Sequence, residues 1–318
     1  MERNPGKAVF ITAIIAGIII ALTGCNVNGV TSGYGAVTLA VQGTLPAGQT
    51  RTVGARAVSS PIEFPVTDSS GVEVGTLYLT ETLVALDEIE FELPEEEIDT
   101  EEEIEQSEEI EFPGPFIVDL LANTVTPEID TTEIVPGTYE KIELDLHKIT
   151  GDETEEDGTT QLVETNDPLF GNSIYILGTY TGLTSSGSVT DMAFELSFDL
   201  DEEFELTGTG DQTGGLVIDE GIVNDIIIAF RLARWFQFDN GESNPDGVDF
   251  SQLVTVSDGE GGFEIILDES VTGDNEKIRQ VIKENIKESA DYGEDDDEDG
   301  ELGSDEDDDP ESEDEDDT

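Results

Sequence analysis

The sequence predicts an all-β protein: one or two antiparallel β-sandwich domains, followed by a short C-terminal amphipathic helix and a disordered acidic tail. Three observations carry this prediction. Apolar and polar residues alternate over many short stretches, glycines and prolines separate these stretches, and a helical period occurs only after residue 275. The chain has 318 residues, which is enough for one large domain or two ordinary ones.

Residues 1–24 have the composition of an export signal. Arg3 and Lys7 form a basic head, and an apolar run from Ala8 to Ala21 follows it. This run is shorter than the roughly 20 apolar residues that a membrane-spanning helix needs. We therefore expect a signal peptide that is removed after export.

The sequence Leu22-Thr23-Gly24-Cys25 closes this signal and resembles the lipobox of bacterial lipoproteins. The resemblance implies that the Cys25 thiol carries a diacylglycerol and that the new amino terminus is acylated. It implies a lipid-anchored, extracytoplasmic protein on a membrane. The residue after the cysteine is Asn26 rather than aspartate, which favours the outer membrane or the cell surface.

The exported part begins with a small, polar tether at 25–33, and two β-sandwich domains are predicted at 34–150 and 168–270 with a linker at 151–167. A single larger double sheet is the alternative, because all-β domains can exceed 200 residues. The period of two that supports these strands is seen at Val37, Leu39 and Val41; Ile89, Phe91 and Leu93; Ile142, Leu144 and Leu146; Phe194, Leu196 and Phe198; and Ile226, Ile228 and Phe230.

Two segments are dominated by acids. The stretch from Asp87 to Glu111 holds 15 acids in 25 residues, and we expect a long solvated hairpin loop there, with an acidic loop at 94–111. The tail at 291–318 holds 19 acids in 28 residues and repels itself too strongly to pack alone.

Two short motifs lie in the first predicted domain: Gly114-Pro115-Phe116-Ile117-Val118-Asp119-Leu120-Leu121, and then Val135-Pro136-Gly137-Thr138-Tyr139. This pair resembles an uncharacterised lipoprotein domain family of bacteria and archaea. The resemblance implies a transthyretin-like or immunoglobulin-like β-sandwich over about 34–150, outside the cytoplasm. It implies no activity and no functional residues.

The charge of the chain limits its partners. With 77 acids against 12 bases, the formal charge is −65. Such a polyanion is repelled by nucleic acid, which excludes that partner, and it attracts divalent cations and basic surfaces.

The residue inventory argues against catalysis. One histidine, His147, and one cysteine leave no material for a nucleophile and base pair or for a zinc centre, so we predict that the protein is not an enzyme. A carboxylate-dependent glycan hydrolase is the catalytic alternative, because acidic residues are abundant along the whole chain and could form a catalytic pair. Trp235 has the parity to face outward as a stacking platform, although core packing is the simpler interpretation.

The tail contains a calcium-loop pattern, and calcium is the only cofactor that the sequence suggests. Asp295, Asp297 and Asp299 fit positions one, three and five of the twelve-residue loop, and Glu306 fits the twelfth. An amphipathic helix at 274–290 would enter this loop. The residues after Glu306 form no exit helix, so the pattern is a half EF-hand, and a solvated tail that condenses cations loosely is the alternative.

The predicted helix also carries a basic stripe at Arg279, Lys283 and Lys287, which we expect to dock on the protein's own acidic surface. Together these features predict a non-catalytic, lipid-anchored envelope protein that acts as a binding, adhesion or structural module. Its partners would be the membrane, divalent cations and a protein or polysaccharide at the cell surface. A fimbrial or matrix subunit is the alternative.

Overall fold

The structure is a computed structural model. It describes residues 33–46, 49, 60–93, 109–139, 141–150, 162–207, 215–239, 241, 243–259 and 262–294. No helix in this part of the chain is long and apolar enough to cross a membrane.

The described residues form β-strands with one α-helix, α1 (Asp274–Lys287), and two 3₁₀ helices at Leu232–Phe236 and Phe250–Gln252. The strands are β1 (Gly35–Thr44), β2 (Ile62–Thr67), β3 (Glu73–Glu92), β4 (Glu109–Asp119), β5 (Thr124–Thr126), β6 (Thr132–Ile134), β7 (Gly137–Tyr139), β8 (Lys141–Leu146), β9 (Ile174–Thr184), β10 (Gly187–Phe198), β11 (Glu202–Thr207), β12 (Leu216–Ile218), β13 (Val223–Arg231), β14 (Val256–Ser257), β15 (Phe263–Leu267) and β16 (Ala290–Glu294).

Strand β3 is the central strand of the larger sheet, because it pairs with four other strands. Its first half pairs with β2 on one edge and β9 on the other, and its second half pairs with β4 and β8. Strands β10, β15 and β14 extend the sheet beyond β9, and β11 extends it beyond β8. A four-stranded sheet in the order β16-β13-β1-β6 supplies the second layer, and β7 pairs with β12.

The all-β class is confirmed, with sandwich-like sheets around one main hydrophobic core. That core takes Val37 and Val41 from β1, Phe91 from β3 and Ile228 from β13, all at most 2% exposed. These residues lie at alternate positions of their strands, because successive side chains of a strand point to opposite faces.

The predicted linker at 151–167 does not separate two sheets. Strands β3 and β8, from the segment 34–150, pair with β9 and β11, from the segment 168–270. Strand β1 likewise pairs with β13. Of the two arrangements that the sequence left open, the single double sheet describes these residues.

Two pairings depart from the antiparallel prediction: β1 with β13, and β10 with β15, are parallel. Parallel neighbours need a long crossover, which the chain between residues 44 and 223 provides. The sheets are therefore mixed.

The acidic segments are also more ordered at their edges than expected. Strand β3 continues to Glu92 and β4 begins at Glu109, so the hairpin prediction holds but the loop is shorter than Asp87 to Glu111. Residues 291–294 belong to β16, which pairs with β13 and buries Tyr292. The tail prediction was wrong for these four residues, because pairing with a core strand outweighs their acidic composition.

Helix α1 confirms the helical prediction, and its apolar stripe of Ile278, Val281, Ile282 and Ile286 is buried. It ends at Lys287 rather than at the predicted residue 290, because Ala290 begins strand β16. The basic stripe docks as expected. Lys283 and Lys287 both form ion pairs with Glu202, and Arg279 pairs with Glu269. Arg279 also lies 4.4 Å above the ring of Phe198.

Trp235 packs in the core, which is the simpler of the two interpretations of the sequence, and it does not face outward as a stacking platform. The chain leaves the strand period there and turns into a 3₁₀ helix, which brings Trp235 to 0% exposure. Its indole Nε1 donates a hydrogen bond of 2.6 Å to the hydroxyl of Ser289, which follows the end of α1. Trp235 therefore stabilises the position of this segment rather than stacking on a ligand.

Candidate functional site

The residues that the sequence selected as sites lie outside the described residues. These are Cys25 and the predicted calcium ligands Asp295, Asp297, Asp299 and Glu306. The calcium-loop pattern begins directly after the last residue of β16, Glu294.

One surface of the larger sheet collects carboxylates, and we call it the acidic face. It consists of Glu88, Glu90 and Glu92 on β3, Glu111 on β4, Glu143 and Asp145 on β8, and Glu203 and Glu205 on β11. The residues between them, such as Phe91, Leu144 and Phe204, are buried in the core. The acids therefore alternate to the opposite side of the sheet.

Strand register places these acids directly beside one another. Glu90 is the cross-strand partner of both Glu111 and Glu143, and Glu143 is also opposite Glu205. A second row joins Glu88, Asp145 and Glu203. Like charges at directly opposed positions destabilise a sheet, so this arrangement needs compensation.

Lys141 supplies that compensation. Its Nζ lies 3.6 Å from carboxylate oxygens of Glu92 and Glu205, and it forms an ion pair with Glu143. The Glu143 side chain is only 8% exposed, so it depends on a fixed positive charge more than its neighbours do.

Burial, together with the remaining repulsion, raises the pKa of two carboxyl groups of the acidic face. Burial and the charges of Glu111, Glu90 and Asp87 raise the pKa of Glu88. Burial and the charges of Asp87 and Asp201 raise that of Asp145. Both groups therefore hold a proton more readily than in water.

The acidic face could attract hard cations. The carboxylates of Glu88, Glu90 and Glu111 offer oxygens within 4.8 Å of one another, and so do those of Glu90, Glu92 and Glu143. An open groove of about 220 Å³ runs between Glu88, Glu143 and Glu203. Oxygen ligands of this kind are those that calcium prefers, although Lys141 already neutralises the deepest carboxylate.

His147 follows β8 directly after the buried Leu146, and its side chain points away from the core. It is not merely solvated, because its Nδ1 lies 2.9 Å from Oδ1 of Asp201, just before β11. The hydrogen bond with Asp201 raises the pKa of His147, against the opposing effect of burial. The histidine therefore ties two strand ends together.

A second feature, the seam cleft, was not predicted. It has a volume of about 370 Å³ and lies between β4 and the segment that leads from β5 to β6. Its lining is Phe112, Pro113, Gly114, Pro115 and Phe116 from β4, Pro127, Glu128, Ile129 and Asp130 from that segment, and Thr132 from the start of β6. The feature of the sequence that points toward it is the cluster of prolines at 113, 115 and 127, because proline disfavours regular pairing in the middle of a sheet.

The seam cleft is mostly apolar with two acids at its margin. Glu128 and Asp130 are exposed, whereas Phe112 and Phe116 are buried beneath the surface of the cleft. Pockets of this size with an apolar lining and a few polar groups are typical of small-ligand and side-chain binding sites.

Comparisons with protein-family models, with curated proteins and with solved structures gave no match. The geometry of the acidic face and the seam cleft is therefore the basis for the functional argument.

Proposed function

We propose that this chain is a lipid-anchored envelope protein that acts by binding a partner outside the cytoplasm, rather than by catalysis. The observation that carries the binding role is the seam cleft, an apolar depression of about 370 Å³ with carboxylates at its mouth. The lipobox resemblance at Cys25 supports the anchor.

The position of the cleft fits presentation close to a membrane. Thr132, which lines the cleft, pairs with Val37 near the beginning of β1. Nine residues, 26–34, separate Cys25 from β1. An extended chain spans at most about 3.5 Å per residue, so this segment would hold the start of β1 within about 35 Å of Cys25.

The proposal includes a response to calcium through the acidic tail. Asp295, Asp297, Asp299 and Glu306 would be the ligands, immediately after β16. The acidic face would add weaker, salt-sensitive attraction for cations, because its carboxylates outnumber its single lysine, Lys141.

Cell fractionation tests the anchor. The wild-type chain should sediment with membranes and be released only by detergent, whereas a Cys25→Ser variant should stay unlipidated and lose stable membrane attachment. Equal membrane retention of both proteins would show that something other than Cys25 holds the chain.

Calorimetric titration of calcium into the wild type and a Glu306→Gln variant tests the response. Saturable binding that the variant loses would support an ordered site. Weak heat that salt abolishes equally in both proteins would reduce the tail to a solvated polyanion.

A further inference from the structure

The walls of the seam cleft show how an occupant would be held. Among the described strands, β4 pairs with β5 alone on the side away from β3, over Ile117–Asp119. Phe112 to Phe116 have no strand partner on that side within the described part of the chain. Pro113 and Pro115 also lack a backbone N–H, so this edge is poorly suited to accept an added strand. Side-chain contacts must therefore dominate binding there.

The apolar part of the cleft is built from rigid groups. Pro113, Pro115 and Pro127 offer ring surfaces, and Ile129 is half-buried against the core. Such groups lose little conformational freedom when a ligand covers them, which favours binding of an apolar or aromatic side chain.

The mouth of the cleft is negative. Glu128 and Asp130 lie on its margin, and none of its lining residues is a lysine, arginine or histidine. On the described surface most bases are already paired with acids of this chain, as Lys141, Lys283 and Arg279 show. Charge complementarity therefore selects a cationic occupant.

We infer that the seam cleft binds a short basic segment of a partner protein, in which a lysine or arginine stands next to an aromatic or large aliphatic residue. The apolar side chain would cover Pro115 and Ile129, and the cation would face Glu128 and Asp130. This inference rests on the proposed binding role and names the class of its partner, but it does not depend on the anchor.

Titration calorimetry with defined peptides tests this assignment on the purified full chain in detergent, at about 0.15 M salt to suppress long-range attraction. The probe is acetyl-Lys-Phe-Lys-Phe-amide. Two matched peptides separate the contributions: acetyl-Lys-Ser-Lys-Ser-amide keeps the charge without the rings, and acetyl-Glu-Phe-Glu-Phe-amide reverses the charge.

Two variants with the same loss of charge locate the site. Glu128→Gln/Asp130→Asn removes the carboxylates at the mouth and preserves their shape. Glu276→Gln/Glu288→Gln removes two exposed carboxylates, one in α1 and one directly after it, and neither residue lines the cleft. Both variants should fold, because all four side chains are on the surface.

We expect saturable binding of the Lys-Phe peptide, weakened about tenfold by the mouth variant and less than twofold by the helix variant. The Lys-Ser peptide should bind about tenfold more weakly, and the Glu-Phe peptide should not bind. Equal affinity of the Lys-Phe and Lys-Ser peptides, or equal behaviour of the two variants, would overturn the assignment.

Phenylethylamine provides a further control for ligand class. If it competes for the cleft with an affinity equal to that of the peptide, the occupant is a small amine and the peptide assignment is wrong. Membrane attachment through Cys25 is measured separately, so failure of the anchor and failure of this site are distinguishable.

Discussion

Replacement of Lys141 by glutamine should destabilise the protein far more than the loss of an ordinary surface lysine. Lys141 forms ion pairs with Glu92, Glu143 and Glu205 on the acidic face. Its removal leaves the buried carboxylate of Glu143 without this countercharge, next to Glu90 on β3. Much of the loss would therefore come from the carboxylate left behind, rather than from the lysine itself.

The magnitude follows from burial. Breaking a fully buried ion pair costs about 3–5 kcal/mol. The Lys141 side chain is 23% exposed and its pair opens onto a groove, so solvent reduces this cost. We expect a loss of about 2 kcal/mol, which would lower the midpoint of thermal unfolding by about 4–8 °C in a domain of this size.

Thermal and denaturant unfolding at pH 7 in low salt measure the effect, with two controls. Lys277→Gln removes an exposed lysine that pairs with the exposed Asp246, and it should leave the midpoint nearly unchanged. The double variant Lys141→Gln/Glu143→Gln should recover most of the stability, because no buried charge is left unpaired. An equal loss in the single and double variants would refute this reasoning.

Three further predictions concern the same fold. Glu202→Gln should lower the free energy of unfolding by about 1 kcal/mol, because it breaks the ion pairs with Lys283 and Lys287 that hold α1 against the sheet. In the same unfolding assay, Glu203→Gln on the crowded acidic face should be neutral or stabilising. The midpoint of thermal unfolding should rise as pH falls from about 8 to 5. Burial raises the folded-state pKa of Asp145 and a hydrogen bond raises that of His147, so the folded state binds more protons than the unfolded state. A midpoint that falls over this range would contradict these shifts. Tyr139→Phe removes the 2.7 Å hydrogen bond that the phenol donates to the Val135 carbonyl, and denaturant unfolding should show a loss of about 1 kcal/mol in the free energy of unfolding. An unchanged midpoint would show that water replaces the bond.

Local patterns in the sequence predicted the strands and the helix well. Alternation placed Phe91, Leu144 and Phe194 in the core, and the helix predicted at 274–290 buries its apolar stripe there. These predictions succeed because side-chain direction is set by strand and helix geometry alone.

Long-range pairing could not be predicted in this way. The parallel pairing of β1 with β13 joins segments separated by most of the chain, and no local pattern encodes it. The parity argument failed at Trp235 because the chain changes from strand to 3₁₀ helix just before it. Composition failed at Asp291 to Glu294, where pairing with β13 and burial of Tyr292 outweigh charge repulsion.

The candidate sites were predictable only in part. The parity of Glu88, Glu90 and Glu143 already directs them away from the core, but the register that sets them side by side emerges only from the sheet. The seam cleft depends on the approach of residues 127–132 to β4, which proline content alone does not reveal. Cys25 and the calcium-loop residues stay predictions, since they lie outside the described residues.

The most direct test of the central claim, that this is a lipid-anchored envelope protein, is the mass of the N-terminal tryptic peptide of the protein isolated from its native membrane. No lysine or arginine lies between Cys25 and Arg51, so trypsin should release this segment as one peptide. The account predicts a peptide that begins at Cys25 and carries a diacylglycerol thioether and an acylated amino terminus. Recovery of residues preceding Cys25 on the same chain, with a free thiol at that cysteine, would contradict it.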